Sequence, residues 1–315
     1  MSTVLDSPPA AAAERLQTTM TAVRLSFTWL GTRKTLSQEQ KAEAADTFGA
    51  EGPFLSAGKK LLDTSDSRYR LVTSVRTQAI SYWKSVSLPY PEPGLRLIPH
   101  AAVEPFASRM EHYREQLRQA VRVLEAGLPE LRAKARERLG RLYNPTDYPD
   151  SLTGEFDVTW EFPSVEPPDY LRQLAPELYE RECQRVRGRF DEAVALAEQA
   201  FLEEFAKLVS HLTERLSGDD DGQPKVFRDS AVENLREFFE RFQRLNVRSN
   251  DQLDQLVDQA KGILGNTPAP SIRRFDAVRD RVARELSGVQ AALDGMLVDR
   301  PRRSILRPGR LTEGG

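Results

Sequence analysis

The residues of this chain that could do chemistry are scattered, and those that fall close together miss the spacing their chemistry needs. Gly52-Pro53-Phe54-Leu55-Ser56-Ala57-Gly58-Lys59-Lys60 has the outline of a phosphate-binding loop. That loop sets four residues between its glycines and a hydroxyl after its lysine. Here five intervene and Lys60 takes the hydroxyl's place, so the segment reads as a loop turning into a helix. Ser217-Gly218-Asp219-Asp220-Asp221-Gly222 sets oxygen ligands at calcium-loop spacing, but the twelfth position is Arg228. A bidentate glutamate is required there, and a cation repels the metal. An interhelical turn is the expectation. Asp150, Asp157 and Glu161 resemble the carboxylates of a nuclease core. The lysine that should stand two residues after one of them is replaced by Thr159 and Pro163. His100, His112 and His211 occur singly, with no second histidine or cysteine at ligand spacing, and no Ser-His-Asp set can be drawn from spacing. Cys183 sits among charges and reads as a neutral structural thiol. The expectation is a chain that is not an enzyme, with no catalytic or cofactor-binding residues, no cofactor and no metal.

Charge is unevenly distributed although the net is only −2 over 315 residues. Arg109–Leu142 carries nine Lys/Arg against five Asp/Glu, and Lys59–Lys84 carries six against two. Tyr143–Glu182 reverses the balance, with ten acidic residues against two basic. Ser271–Arg310 has ten arginines against five acids. Within it Arg300, Arg302, Arg303, Arg307 and Arg310 are separated by Pro301, Pro308 and Gly309, which disfavour a helix. These five are the candidate contacts for nucleic acid or a protein partner, because guanidinium forks suit phosphate and carboxylate alike. The isoelectric point of about 6.1 lies below the range typical of nucleic-acid-binding domains. There is no apolar run long enough to span a membrane, no charged-then-apolar leader, and a single cysteine. A cytoplasmic protein without membrane contact is expected.

The elements that must position these residues are mostly helical. Residues 1–19 read as a disordered tail, since Ser7-Pro8-Pro9-Ala10-Ala11-Ala12-Ala13 is of low complexity. Val23, Leu25, Phe27 and Trp29 alternate with Ala22, Arg24, Ser26 and Thr28, a period of two that marks a strand near 22–29. Phe156, Val158, Trp160 and Phe162 repeat the pattern near 155–162, and the two strands are expected to pair in one small sheet. Ser67–Val86 reads as a helix, with Leu71, Val75 and Trp83 among its apolar positions. Phe106, Met110, Tyr113, Leu117, Ala120 and Leu124 form a heptad-like seam in a long helix over about 103–143, kinked at Gly127-Leu128-Pro129. Val186, Phe190, Ala193, Ala197, Phe201, Phe205, Leu208 and Leu212 form a second seam over about 170–217. The economical arrangement is a long antiparallel, coiled-coil-like helical hairpin. Phe227, Ala231, Leu235, Phe238, Phe242 and Leu245 define another buried stripe, Leu253–Leu264 a shorter one, and 271–299 a C-terminal helix that includes Phe275. Residues 300–315 form an arginine-rich tail. The fold class expected is mainly α: the hairpin, a helical bundle and one small β-sheet.

Several segments together resemble one family. Val226-Phe227-Arg228-Asp229-Ser230-Ala231-Val232-Glu233-Asn234-Leu235-Arg236-Glu237 with Arg244-Leu245-Asn246-Val247 is similar to its hallmark. So are Trp29-Leu30-Gly31-Thr32-Arg33-Lys34, Gly94-Leu95-Arg96-Leu97-Ile98-Pro99, Gly140-Arg141-Leu142-Tyr143 with Asp147-Tyr148-Pro149, and Val209-Ser210-His211-Leu212-Thr213-Glu214-Arg215-Leu216. The family is a helical domain of unknown function from phages, plasmids and some bacterial and archaeal genomes, often encoded beside MoxR-type AAA+ ATPases. The resemblance covers about residues 20–265. It implies a non-catalytic adaptor or scaffold of an assembly with an AAA+ ATPase partner, and it brings no catalytic residues. The basic sections favour the alternative, a nucleic-acid-binding subunit of a replication, recombination or defence complex.

Overall fold

The computed structural model describes residues 8–217, 228–265 and 267–299. In chain order, α1 (Pro8–Thr19) runs into β1 (Met20–Thr28), and β2 (Arg33–Thr35) and β3 (Gly58–Lys60) flank α2 (Gln38–Phe48). Next, α3 (Ser67–Ser85) leads through β4 (Leu88–Pro89) and β5 (Leu95–Pro99) to α4 (Val103–Ala126) and α5 (Leu128–Leu139). After β6 (Asp157–Glu161) come α6 (Tyr170–Leu174), α7 (Pro176–Ser217), α8 (Ser230–Leu245), α9 (Asp251–Leu264), α10 (Ala269–Arg274) and α11 (Asp276–Asp299). The fold is thus mainly α with a small antiparallel sheet. Among the described residues no helix is long and apolar enough to cross a membrane. The chain divides into a sheet unit, Gln17–Arg189, and a helical unit, Met1–Leu16 with Phe190–Gly315. The 42-residue α7 contributes to both.

In the sheet unit the two strands read from alternation do pair: β1 lies between β5 and β6 in an antiparallel sheet of order β4-β5-β1-β6. Leu25 faces Trp160 and Phe27 faces Val158 across the β1–β6 ladder. Because side chains alternate, Val23, Leu25, Phe27 and Val158 share one face, and they join the core built with α3 and α4. On the other face Arg24 reaches Glu161 at 2.9 Å. Two further strands, β4 and β5, were not expected. Their apolar runs are short and bounded by prolines, so no period could develop. A separate ribbon, β2–β3, frames α2, whose Ser37 N-cap makes a reciprocal capping box with Gln40. Gly52–Lys60 therefore does not lead into a helix: Gly52–Phe54 is one 3₁₀ turn and Gly58–Lys60 is a strand.

The seam of α4 is buried at Phe106, Met110, Leu117, Ala120 and Leu124. Within its own unit it packs against α3 and the sheet. Apolar spacing announces that a helix face will be covered but not by what. Tyr82 of α3 stacks on Phe106 with ring centroids 6.1 Å apart. In α3 the buried face is Tyr69, Val72, Val75 and Ala79; Leu71, expected inside, is exposed. The interruption at Gly127 separates α4 from α5, yet Leu128, Leu131 and Ala135 continue into the same core, as a kink requires. The later long segment is likewise broken, at Ala175.

The helical unit has an aromatic core between α7 and α8. Phe205 stacks on Phe238 at 5.2 Å, and Phe201 meets Phe242 edge-on at 5.1 Å. The expected stripe is buried at Leu235, Phe238, Phe242 and Leu245, while Phe227 lies outside the described residues. Residues 8–19 correct the expectation of a disordered tail over 1–19: they form α1, and Ala12, Ala13 and Leu16 are buried. An alanine run is the best of helix formers, and prolines are tolerated in a first turn. The Arg15 guanidinium donates to the Val247 carbonyl at 2.6 Å, anchoring α1 to the α8–α9 loop. Asn246 holds that loop. Its amide donates to Asp254 at 2.7 Å and its carbonyl accepts from the Arg248 N–H at 2.9 Å, where Arg248 adopts φ 49°. The expected single helix over 271–299 is two, α10 and α11, parted at Phe275, which is 54% exposed instead of buried. Its φ of −111° and ψ of 108° are extended, so it leaves the helical stripe.

Candidate functional site

The described residue groups best placed to meet a ligand lie on two helices of the helical unit. His211 and Arg215 are one helical turn apart on α7, and Ser230 and Asn234 are one turn apart on α8, so each pair shares a face. With Arg228, just before α8, and the buried Ala231, they line a recess of about 460 Å³. Two guanidiniums, an imidazole, a hydroxyl and an amide thus face one space. No carboxylate partner of His211, Arg215 or Arg228 occurs among the described residues. The neighbouring acid, Asp229, pairs with Arg273 at 3.2 Å and does not line the recess. Asp229 stands at the N-terminus of α8, where an acid complements the helix dipole, but its side chain makes no cap bond to the helix. Two of the first N–H groups of α8 are engaged locally, Ala231 by the Arg228 carbonyl and Val232 by that of Asp229.

Two other recesses are internally neutralised. One of about 300 Å³ in the sheet unit is lined by Lys60, Asp63, Lys134 and Arg138 among others. Arg138 lies 2.7 Å from Asp63 and Lys134 2.5 Å from Glu130. The Arg138 guanidinium and the Ser65 hydroxyl hold the Asp63 carboxyl well below the usual carboxylate range. The other, about 380 Å³ in the helical unit, mixes Arg248 and Lys261 with Asp254 and Asp258. Burial pushes the Asp254 carboxyl upward, partly offset by the Asn246 amide.

The groups singled out in sequence fare differently. Lys59, the lysine of the phosphate-loop outline, is buried and structural. Its Nζ lies 2.6 Å from Asp147 Oδ2 and donates to the Leu142 carbonyl at 2.6 Å. Lys34 completes the cluster at 2.6 Å from Asp147 Oδ1, and Tyr148 donates to the Leu61 carbonyl at 3.0 Å. These bonds explain much of the Asp147-Tyr148 motif without catalysis. The three nuclease-like carboxylates are not brought together as a metal site: Asp157 pairs with Arg114 at 3.1 Å, Glu161 with Arg24, and Asp150 is fully exposed. Among the described residues no group of three or more His, Cys, Asp or Glu could hold a metal ion. His100 and His112 are exposed, and Cys183 is half-buried beside Tyr179. The calcium-like loop beyond Ser217, and the tail residues Arg300, Arg302, Arg303, Arg307 and Arg310, lie outside the described residues.

In the sequence His211 stands as a lone histidine and Arg228 as the ill-fitting twelfth position of a calcium-like loop. The readable signal was the pair of four-residue steps, His211 to Arg215 and Ser230 to Asn234, in two segments of the family-like hallmark. Comparison with protein-family models, curated proteins and solved structures finds no match to this chain.

Proposed function

We propose that the chain is a non-catalytic helical adaptor or scaffold of a phage or mobile-element assembly, working with a MoxR-type AAA+ ATPase. The resemblance supplies the partner. The observation that carries the reading is an exposed apolar set in the acidic stretch of the sheet unit: Tyr170 is 61% exposed and Leu174 77%, with Leu178 in the first turns of the next helix. Large apolar side chains in such a charged segment raise no stability while exposed, and their exposure together supports a protein-contact role. A cytoplasmic setting and a coiled-coil-like pairing of the two long helical segments belong to the same reading, which depends on neither. Co-expression with the neighbouring ATPase gene and pull-down with nucleotide present tests it. Co-purification that Leu174→Glu abolishes is expected, and no co-purification refutes it.

The second reading, a nucleic-acid-binding subunit, is favoured by the basic sections of the sequence and by the arginines at 300–310. Truncation after Asp299 should weaken DNA binding and flatten its salt dependence, since each neutralised phosphate adds to that slope. Affinity that does not fall with rising salt removes this reading.

A further inference from the structure

We infer that the α7–α8 recess binds a terminal phosphate group, as a phosphomonoester or polyphosphate. The geometry supplies the argument. Arg215 on α7 and Arg228 just ahead of α8 both line the recess, together with His211, Ser230 and Asn234. Guanidinium forks match the oxygens of phosphate bidentately, and hydroxyl and amide groups complete the shell of a tetrahedral anion. Charge decides which phosphate. A backbone phosphodiester carries a single negative charge and is met by cations spaced along a track. A terminal phosphate carries about −1.5 to −2 at pH 7 and calls for several cations around one point. Two arginines on one recess, with the His211 imidazole lining it as well, fit the second pattern. The described acids do not oppose it: Asp229 is engaged by Arg273, and Glu214 does not line the recess. The volume of about 460 Å³ exceeds what one phosphate fills, leaving room for a second phosphate or for the group that carries it. The buried Ala231 adds no bulk to the wall. This inference stands apart from the adaptor reading, which rests on the Tyr170–Leu178 surface, so either can fail alone.

Calorimetric titration of the full chain with pyrophosphate tests it. Saturable binding is expected. Arg215→Gln and Arg228→Gln should each weaken it about tenfold or more, the loss of a charge-assisted hydrogen bond. Arg281→Gln, which removes an exposed arginine of α11, should change nothing. Circular dichroism verifies the fold of each variant, and Arg228 is exposed, so its substitution leaves the core intact. ATP and a 5′-phosphorylated single-stranded oligonucleotide should both displace pyrophosphate, and whichever competes better identifies the source of the phosphate. Absence of saturable pyrophosphate binding overturns the inference. So does citrate binding as tightly, a 5′-hydroxyl oligonucleotide matching the phosphorylated one, or Arg281→Gln weakening binding as much as Arg228→Gln.

Discussion

Replacing Lys59 by Met should destabilise the sheet unit by about 3 kcal/mol, the lower end of the range for breaking a buried ion pair. The magnitude follows from the surroundings. The Lys59 side chain is 5% exposed and that of Asp147 2%, so both charges are withdrawn from water. Methionine keeps the apolar stem and removes the ammonium. Asp147 Oδ2 then loses its 2.6 Å partner, and the Leu142 carbonyl loses its donor. Lys34 remains at 2.6 Å from the other carboxylate oxygen, which keeps the cost at the lower end. The assay is selective, because the chain's three tryptophans, Trp29, Trp83 and Trp160, all lie in the sheet unit. Their fluorescence reports its unfolding, while far-ultraviolet circular dichroism reports helices of both units. A fall of about 6–12 °C in the fluorescence transition is expected. Acid adds a second check. Lys34 and then Lys59 hold the Asp147 carboxyl below its ordinary range. Its stabilising contribution is therefore complete above the ordinary carboxylate range and is lost as pH falls through the lowered folded value. Wild type and Lys59→Met should converge in acid. An unchanged fluorescence midpoint at pH 7, or a difference that persists undiminished at low pH, refutes the reasoning.

Leu235 is fully buried in the aromatic core of the helical unit, so Leu235→Ala should cost about 2–5 kcal/mol by denaturant melt, with a value near zero showing that α8 is not packed. Asp66 caps α3 by accepting from the Arg68 N–H at 2.9 Å, and the Arg68 guanidinium holds its carboxyl at about 2. Asp66→Ala should cost about 1 kcal/mol at neutral pH, and the difference should vanish as pH falls through that value, measured by thermal melts across pH. Asp254 has the opposite sign. Its raised carboxyl disfavours the folded state once ionised, so Asp254→Asn should raise the stability of the helical unit at pH 7 relative to wild type and lose that advantage as pH falls toward 4.

How far the sequence reaches can be seen element by element. The β1–β6 pairing, the buried face of α8 and the break at Gly127 are written in the order of neighbouring residues, because side-chain period and backbone stereochemistry act over a few positions. The poor metal and phosphate-loop spacings were equally readable, since ligand geometry is a local demand. What fills a face was not readable. The α4 seam takes α3 and the sheet as its cover, and α1 gains order because Leu16 is buried and Arg15 reaches Val247. Those outcomes depend on which apolar surfaces meet after loops close, and apolar contact is non-directional. The same reason separates two sets of cationic residues from the roles their local sequence suggests. Lys59 stood in a loop of unsuitable phosphate-binding spacing, and only folding set Asp147 against it. His211 stood as a lone histidine until α7 and α8 set it with Arg215 and Arg228 around one recess. Residue type and helical step were present in the chain from the start; the convergence of charges from separate helices, which makes the recess a candidate anion site, exists only in three dimensions.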